Sequence, residues 1–362
     1  MIYIMRQTDF WNCITVENRL SLMICEQEVR VQMDKIDFVI AWVDGNDPAW
    51  IAQRKKYQPD TRDDDGESRY RDWENLQYWF RGVEKFAPWV NKVYFLTWGH
   101  VPVWLDTSNP KLQIVRHEDY IPKDYLPTFS SHPIEMNMHR IQGLSEHFVY
   151  FNDDMFLIRK AEPEDFFKNG LPRDCCIETA LAQDNIDDPF AHILMNNTAL
   201  INMHFNKKEV IRKNWKKWFS PAYGRMVLRN VLMYPYQEFS GFKYTHMPSP
   251  FLKSYFEKLW QAEGDRLDKL CHNRFRTAFD VNQYVVKHWQ CMEGMYEPQS
   301  PGIGRFCVMG RDDEMLFDTM KRQSAKMICI NDDARLEDFP EMKQKVIQAF
   351  DRILPEKSSF EK

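Results

Sequence analysis

What this chain lacks already excludes several classes of protein. None of its eight cysteines stands in a CxxC pair, so a zinc ribbon is excluded. No run approaches the roughly 18 apolar residues of a membrane-spanning helix. Positive charge is not in excess: 48 Lys and Arg against 53 Asp and Glu give a net charge of −5, which argues against a nucleic-acid binder. Residues 1–35 do not read as a secretory leader, because Arg6, Asp9, Glu17 and Arg19 interrupt their apolar residues. The cysteines therefore read as reduced thiols and the expected compartment is the cytoplasm. Internal repeats and low-complexity linkers are also missing.

What remains is an ordinary globular composition, 44% hydrophobic and 28% charged, over 362 residues, enough for one large or two modest domains. The run 36–43 (IDFVIAWV) reads as a buried strand, and Asp44-Gly45-Asn46-Asp47-Pro48 as a turn. Residues 53–71 are charged and read as a loop. Leu76, Trp79, Phe80, Val83 and Phe86 recur at helical spacing and predict a helix over 73–86, stopped by Pro88. Strands follow at 92–97 and 112–115. Pro133 opens another helix behind a Ser130 or Ser131 cap, with Ile134, Met138, Ile141 and Ser145 on its buried face. A strand at 147–151 comes next. Strand alternating with helix implies an α/β fold with a largely parallel sheet. Helices are expected at 206–219, 251–262, 265–275 and 280–293. The chain then returns to α/β with a strand at 305–309, a helix at 312–322, a strand at 327–330 and a helix at 337–353. The division is an extension of unassigned role (1–35), an α/β core (36–165), a mainly helical insertion (166–300) and a C-terminal α/β segment (301–362), whose last strand is expected to rejoin the first sheet.

The chemistry is concentrated at strand ends. The strand over 147–151 stops in Asn152-Asp153-Asp154, and the last strand in Asn331-Asp332-Asp333. Adjacent carboxylates repel unless a cation lies between them, and a hard divalent metal prefers oxygen ligands and bridges phosphates. Strand carboxyl ends are where open α/β sheets bind ligands, so Asp44 joins the candidates; a polar turn or a helix cap explains the same residues less specifically. Glu135, His139 and Gln142 share one face of the expected helix, with Arg140 about 140° around from Glu135 at ~100° per residue. A carboxylate one turn from an imidazole holds its tautomer, or forms a weak solvated ion pair. His246 lies in a proline-stiffened loop. Arg276 suits the fork geometry of phosphate and Asp280 suits a helix cap. The helix at 206–219 carries Lys207, Lys208, Arg212, Lys213, Lys216 and Lys217 against Glu209, with Ile211, Trp215 and Trp218 as its apolar stripe. It reads as a solvated basic face or a dock for an anionic glycan or lipid surface.

Long blocks of the sequence, IDFVIAWVDGNDPAW, RYRDWENLQYWFRGVEKFAPWVNKVYFLTWGHVPVWL and LPTFSSHPIEMNMHRIQGLSEHFVYFNDDMF, closely resemble the Stealth family. Its later blocks appear in order as HILMNNTALINMHFNKK, YTHMPSPF, RTAFDVNQ and MICINDD. The family comprises bacterial capsular and exopolysaccharide phosphotransferases and the animal N-acetylglucosamine-1-phosphotransferase. The resemblance implies a Rossmann-like, glycosyltransferase-A-type core with inserted helices. It also implies transfer of a hexose-1-phosphate from a nucleotide sugar, UDP-hexose or UDP-N-acetylhexosamine, to a glycan hydroxyl. It places Asp44, Glu135, His139, Asp153, Asp154, His246, Arg276, Asp280 and Asp332 in family blocks; the roles expected are catalysis for Glu135, His139, His246 and Arg276, donor binding for Asp44, Arg140 and Asp280, and Mg²⁺ or Mn²⁺ binding for Asp153, Asp154 and Asp332. At Asp44 the animal members carry Asn. A metal-dependent glycosyltransferase releasing a nucleoside diphosphate, and a non-catalytic polysaccharide-binding protein, are the competing readings. Peripheral contact with the inner face of the membrane or with the polysaccharide assembly machinery is a further expectation.

Overall fold

The computed structural model describes residues 35–58, 71–182, 189–333, 336 and 338–362; the expected N-terminal extension lies almost wholly outside them. The first strand, β1 (Ile36–Ala41), is buried along nearly its whole length, as a central parallel strand must be. Its one charged residue, Asp37, accepts hydrogen bonds from Asn91 Nδ2 at 2.7 Å and Ser145 N at 2.8 Å. Asp47 caps α1 (Pro48–Tyr57) through Trp50 N at 2.8 Å, with Pro48 in the first turn, so the loop expected from residue 53 is helical as far as Tyr57. The predicted apolar stripe is the buried face of α2 (Leu76–Phe86), which starts at Leu76 rather than Trp73. The parallel strands β2 (Val93–Thr97) and β3 (Leu112–Arg116) follow, then the short α3 (His117–Tyr120).

Ser130 caps α4 (Ser131–Met136) by accepting from His132 N at 3.3 Å. This helix stops early. Asn137 Nδ2 donates to Pro133 O at 2.8 Å, taking the carbonyl that the backbone of a continuing helix would use. A 3₁₀ turn, Met138–Arg140, follows, so the common face expected for Glu135, His139 and Gln142 does not form.

Next, β4 (His147–Asn152) pairs in parallel with β1 and ends in the Asp153-Asp154 turn. β5 (Met155–Leu157) then enters a different sheet. β6 (Phe167–Lys168) and β7 (Leu171–Asp174) precede the helices α5 (Pro189–His204), α6 (Lys207–Trp218) and α7 (Val227–Met233). The segment expected to be a helical insertion also returns a strand, β8 (Ser249–Leu252), antiparallel to β4 at the edge of the core sheet, whose order is β3-β2-β1-β4-β8. One helix, α8 (Lys253–Cys271), kinked at Glu263, replaces the two expected at 251–262 and 265–275. α9 (Tyr284–Met292), β9 (Glu297–Pro298), β10 (Gly304–Val308), α10 (Asp313–Arg322), β11 (Met327–Asn331) and α11 (Phe339–Ile353) complete the chain.

The expectation that the last strand rejoins the first sheet is corrected. β11 pairs with β10 and, antiparallel, with β5 in a separate three-stranded sheet. β4 has no edge left to offer it, because β1 and β8 occupy both sides. The C-terminal segment still closes over the core. Phe350 stacks on Tyr78 at 5.0 Å, Phe360 meets Phe80 at 5.3 Å, and Arg81 grips Glu361 through Nε at 2.9 Å and an Nη at 2.8 Å.

Candidate active site

The parallel strands β1, β2 and β4 end on one rim, since Ala41 is in register with both Leu96 and Asn152. Asp44 lies on this rim in a tight turn: its Oδ1 accepts from Asn46 N at 2.9 Å, and its own backbone N–H donates to His100 Nε2 at 2.7 Å. Asp47 is spent as the cap of α1.

The turn after β4 is the centre of the group. Asp154 O accepts from Ile330 N at 2.8 Å, which brings the end of β11 against the end of β4. The two Asn-Asp-Asp strand ends therefore meet, although they belong to different sheets. Asp154 Oδ2 accepts from His246 Nε2 at 3.0 Å and from the Cys329 thiol at 3.2 Å. Asp154 Oδ1 is buried and has no hydrogen-bond partner. Neither has Asp332 Oδ1, which is buried with Arg71 Nη1 at 3.7 Å, while its Oδ2 accepts from Trp73 Nε1 at 3.2 Å. Buried carboxylate oxygens without a donor are costly unless something else satisfies them, and a cation does so. Ligand atoms of Asp154, His246 and Cys329 all lie within 4.8 Å of one another, the one such trio among the described residues. Burial raises the Cys329 thiol well above its usual range, so it stays protonated and donates to Asp154. The Asp153 carboxyl is pushed up to about 7, by loss of solvation first and by the Asp154 charge second. A cation shared with Asp154 would offset that penalty. The residues fit a divalent metal.

His246 is held by an unusual backbone, with φ of +36°. With Nε2 donating to Asp154, its Nδ1 accepts from the Tyr244 hydroxyl and faces the Tyr284 hydroxyl at 3.3 Å. One nitrogen looks into the carboxylate group and the other is fixed by tyrosines, the arrangement of an oriented acid–base imidazole.

A second group adjoins the first. Glu135, buried in α4, accepts from Gln283 N at 3.4 Å; burial raises its carboxyl, offset in part by the His132 and Arg276 charges. Arg276 donates from Nη2 to Ser131 Oγ at 3.0 Å. Burial raises the Tyr150 hydroxyl well above its usual range, and the Glu135 and Asp153 carboxylates add to this, so it joins the two groups. Asp280 is 2% exposed and spent internally, on His132 Nδ1 at 2.8 Å, Thr277 Oγ1 at 2.7 Å, Thr277 N at 3.1 Å and Asn273 Nδ2 at 3.2 Å. Its carboxyl, which burial alone would raise, is held below the usual range by His132 and Thr277. It orders the Arg276 loop rather than reaching a ligand.

His139 and Arg140 turn to α8 instead. The His139 ring lies 6.0 Å from Trp260 and 6.4 Å from Phe256, and burial pushes its pKa down to about 4. Arg140 is exposed and stacks on Trp260 at 5.0 Å. Asn137's interruption of α4 is the reason. Tyr244, Tyr284, Gln283, His132 and Cys329 escape a reading by motif; Tyr244, two residues before His246 in a stiffened loop, was the most accessible of them.

Among known families, residues 34–61 match the model of conserved region 1 of Stealth proteins, and 69–174 match conserved region 2. The capsular polysaccharide phosphotransferase WcwK of Streptococcus pneumoniae is 40% identical over 91% of this chain and 99% of its own length. The receptor polysaccharide phosphotransferase WefC of Streptococcus gordonii is 40% identical over 91% and 99%. The exopolysaccharide phosphotransferase cps2G of Lactiplantibacillus plantarum is 39% identical over 90% and 96%. Among solved structures, the galactosyltransferase LgtC in complex with donor and acceptor sugar analogues covers 88% of this chain and 96% of its own, at 7% identity and a TM-score of 0.36, too distant to carry weight.

Proposed function

Because the chain belongs to the Stealth family, we propose that it is a phosphotransferase of capsular or exopolysaccharide synthesis, moving a hexose-1-phosphate from a nucleotide sugar to a hydroxyl of a glycan acceptor. The donor is a UDP-hexose or UDP-N-acetylhexosamine. The acceptor oxygen bonds to the phosphorus that carries the sugar, the bond from that phosphorus to the bridging oxygen breaks, and a nucleoside monophosphate leaves. The observation that carries this reading is the meeting of two Asn-Asp-Asp strand ends beside an imidazole oriented on both nitrogens.

Asp154, Asp153 and Asp332 would hold Mg²⁺ or Mn²⁺, which when bound neutralises charge on the donor pyrophosphate. With Asp154 engaged by a cation, His246 would carry its own proton on Nδ1, donated to a tyrosine oxygen, and would take the proton of the acceptor hydroxyl at the Nε2 so freed. Arg276, steadied by Ser131, stabilises charge on the transferred phosphoryl group. Glu135 orients Arg276 and the donor sugar. Asp44 contacts the donor from the rim, and Asp280 acts through His132. His139 and Arg140, engaged with α8, have no part. The free cysteines among the described residues fit the reducing compartment where nucleotide sugars are made.

The test is incubation with a panel of nucleotide sugars and divalent metals, with the released nucleotide identified by mass. A nucleoside monophosphate supports the reading; a nucleoside diphosphate overturns it in favour of glycosyl transfer at the anomeric carbon.

A further inference from the structure

α7 is built inside out. Leu228, Val231 and Leu232 occupy one helical face at i, i+3 and i+4, and they are 60%, 51% and 71% exposed. The residue turned inward is polar: Asn230 is fully buried, donates from Nδ2 to Cys176 O at 3.0 Å and Trp218 O at 2.7 Å, and accepts from Glu178 N at 2.7 Å. Three hydrogen bonds fix the rotation of the helix, so its apolar face points to solvent by construction. The exposed face continues into Tyr234 and Tyr236, 45% and 58% exposed, and Trp215 of α6 is 57% exposed. α6 adjoins this segment, because Phe219 meets Tyr234 at 6.2 Å and Lys208 lies 4.2 Å over the Tyr234 ring.

The charge around this patch is basic. Of the six basic residues of α6, two turn inward: Lys207 pairs with Glu178 at 2.7 Å, both fully buried, and Lys217 donates to Gly294 O at 2.9 Å and Tyr296 O at 2.6 Å. Arg212, Lys213 and Lys216 remain exposed, Lys208 is half-buried at the Tyr234 ring, and exposed Arg225 and Arg229 flank the apolar face of α7. The exposed acids of α6 and of the segment after α7 are Glu209 and Glu238. Large aliphatic side chains, interfacial Tyr and Trp, and a basic surround together are the signature of a surface that lies in a membrane interface. A symmetric contact with a second copy would set like charges face to face, whereas an anionic bilayer complements them.

We propose that α6, α7 and the 234–236 segment form a docking surface for an anionic membrane, with Leu228, Val231 and Leu232 entering the acyl boundary and the basic side chains meeting headgroups. The surface stands independently of the reaction assigned to the site.

The test is sedimentation of the full chain with vesicles of phosphatidylcholine alone and of phosphatidylcholine with phosphatidylglycerol, across a salt series. The parent should pellet with the anionic vesicles and progressively less as salt rises. Leu228→Ser with Leu232→Ser should lower the partition coefficient roughly tenfold or more at every salt concentration. Lys213→Glu with Lys216→Glu should lower it by a similar factor at low salt and by little at high salt. Both double variants should melt with the parent and keep its activity on a soluble acceptor. A parent that stays in the supernatant overturns the proposal, as do variants that pellet like the parent. Concentration-dependent dimers lost in the leucine variant, without vesicle binding, would reassign the patch to self-association.

Discussion

At the scale of single residues, burial sets what each group does. Asp154 leaves one oxygen unsatisfied and gives the other to His246 and Cys329, and the unsatisfied oxygen is the one the proposed cation would use. Asp154→Asn keeps the shape and removes the charge. It should lower kcat by about 10²–10³ with an unchanged melting temperature, the scale of a lost electrostatic group; near-parental turnover in excess chelator would remove the metal from the mechanism. Tyr284→Phe should leave His246 present but less well held, so kcat should fall about tenfold or less while the acid limb of its pH profile moves. An unaltered profile would make Tyr284 a packing residue. Two histidines outside the site give a stability prediction. Burial pushes His117 and His288 down to about 3, against an ordinary value of 6.5. They stay neutral in the folded chain and take protons once unfolded, so their contribution is complete above about 6.5 and is lost as pH falls towards about 3. Each accounts for up to about 1.4 kcal/mol per pH unit in that window. Urea unfolding at pH 6.5 and 5 should give a smaller drop for His117→Gln than for the parent, and equal drops would refute the assignment. The comparison between variants matters because Asp153, raised by crowding, works in the opposite direction.

At the scale of elements, caps and side-chain competition decide where helices stop and which way they face. Asn137 cuts α4 at six residues, and the cut separates Glu135, which stays with Arg276, from His139, which goes to α8. α6 is anchored by a basic residue that never reaches solvent. Lys207→Met would leave Glu178 buried without its cation, and chemical denaturation should show a loss of about 3–5 kcal/mol. Lys213→Glu, on the exposed face of the same helix, should stay within about 0.5 kcal/mol of the parent. Equal effects would mean that the inward and outward lysines had been wrongly distinguished.

At the scale of the whole molecule, the C-terminal segment is part of the core that presents the site. The end of β11 is tied to the Asp154 turn through Ile330 N, and the tail clamps α2 through Phe360 and the Arg81–Glu361 pair. Phe360 is 3% exposed, so Phe360→Ala should cost about 3–5 kcal/mol and reduce activity only in proportion to the folded fraction. A fully stable variant would show that the tail merely rests on the core.

Much of this was legible in the chain itself. The runs IDFVIA and HFVYFN, too apolar for anything but buried strands, and the stripe from Leu76 to Phe86 identify the central sheet and its covering helix, because burial pattern is a local property of sequence. The strand-end carboxylates and the family blocks pointed to the chemistry. Long-range pairing was not legible. That β8 takes the free edge of β4 while β11 pairs with β10 and β5 depends on which strands compete for each edge, and no local pattern encodes that. The same holds for the environment of side chains. Lys207 and Lys213 look alike in a basic run, and only the packing of α6 against Glu178 makes one a buried counter-charge and the other a surface group. Asn230 and Leu232 would be assigned to the outside and the inside by polarity alone, and three hydrogen bonds from distant segments reverse them.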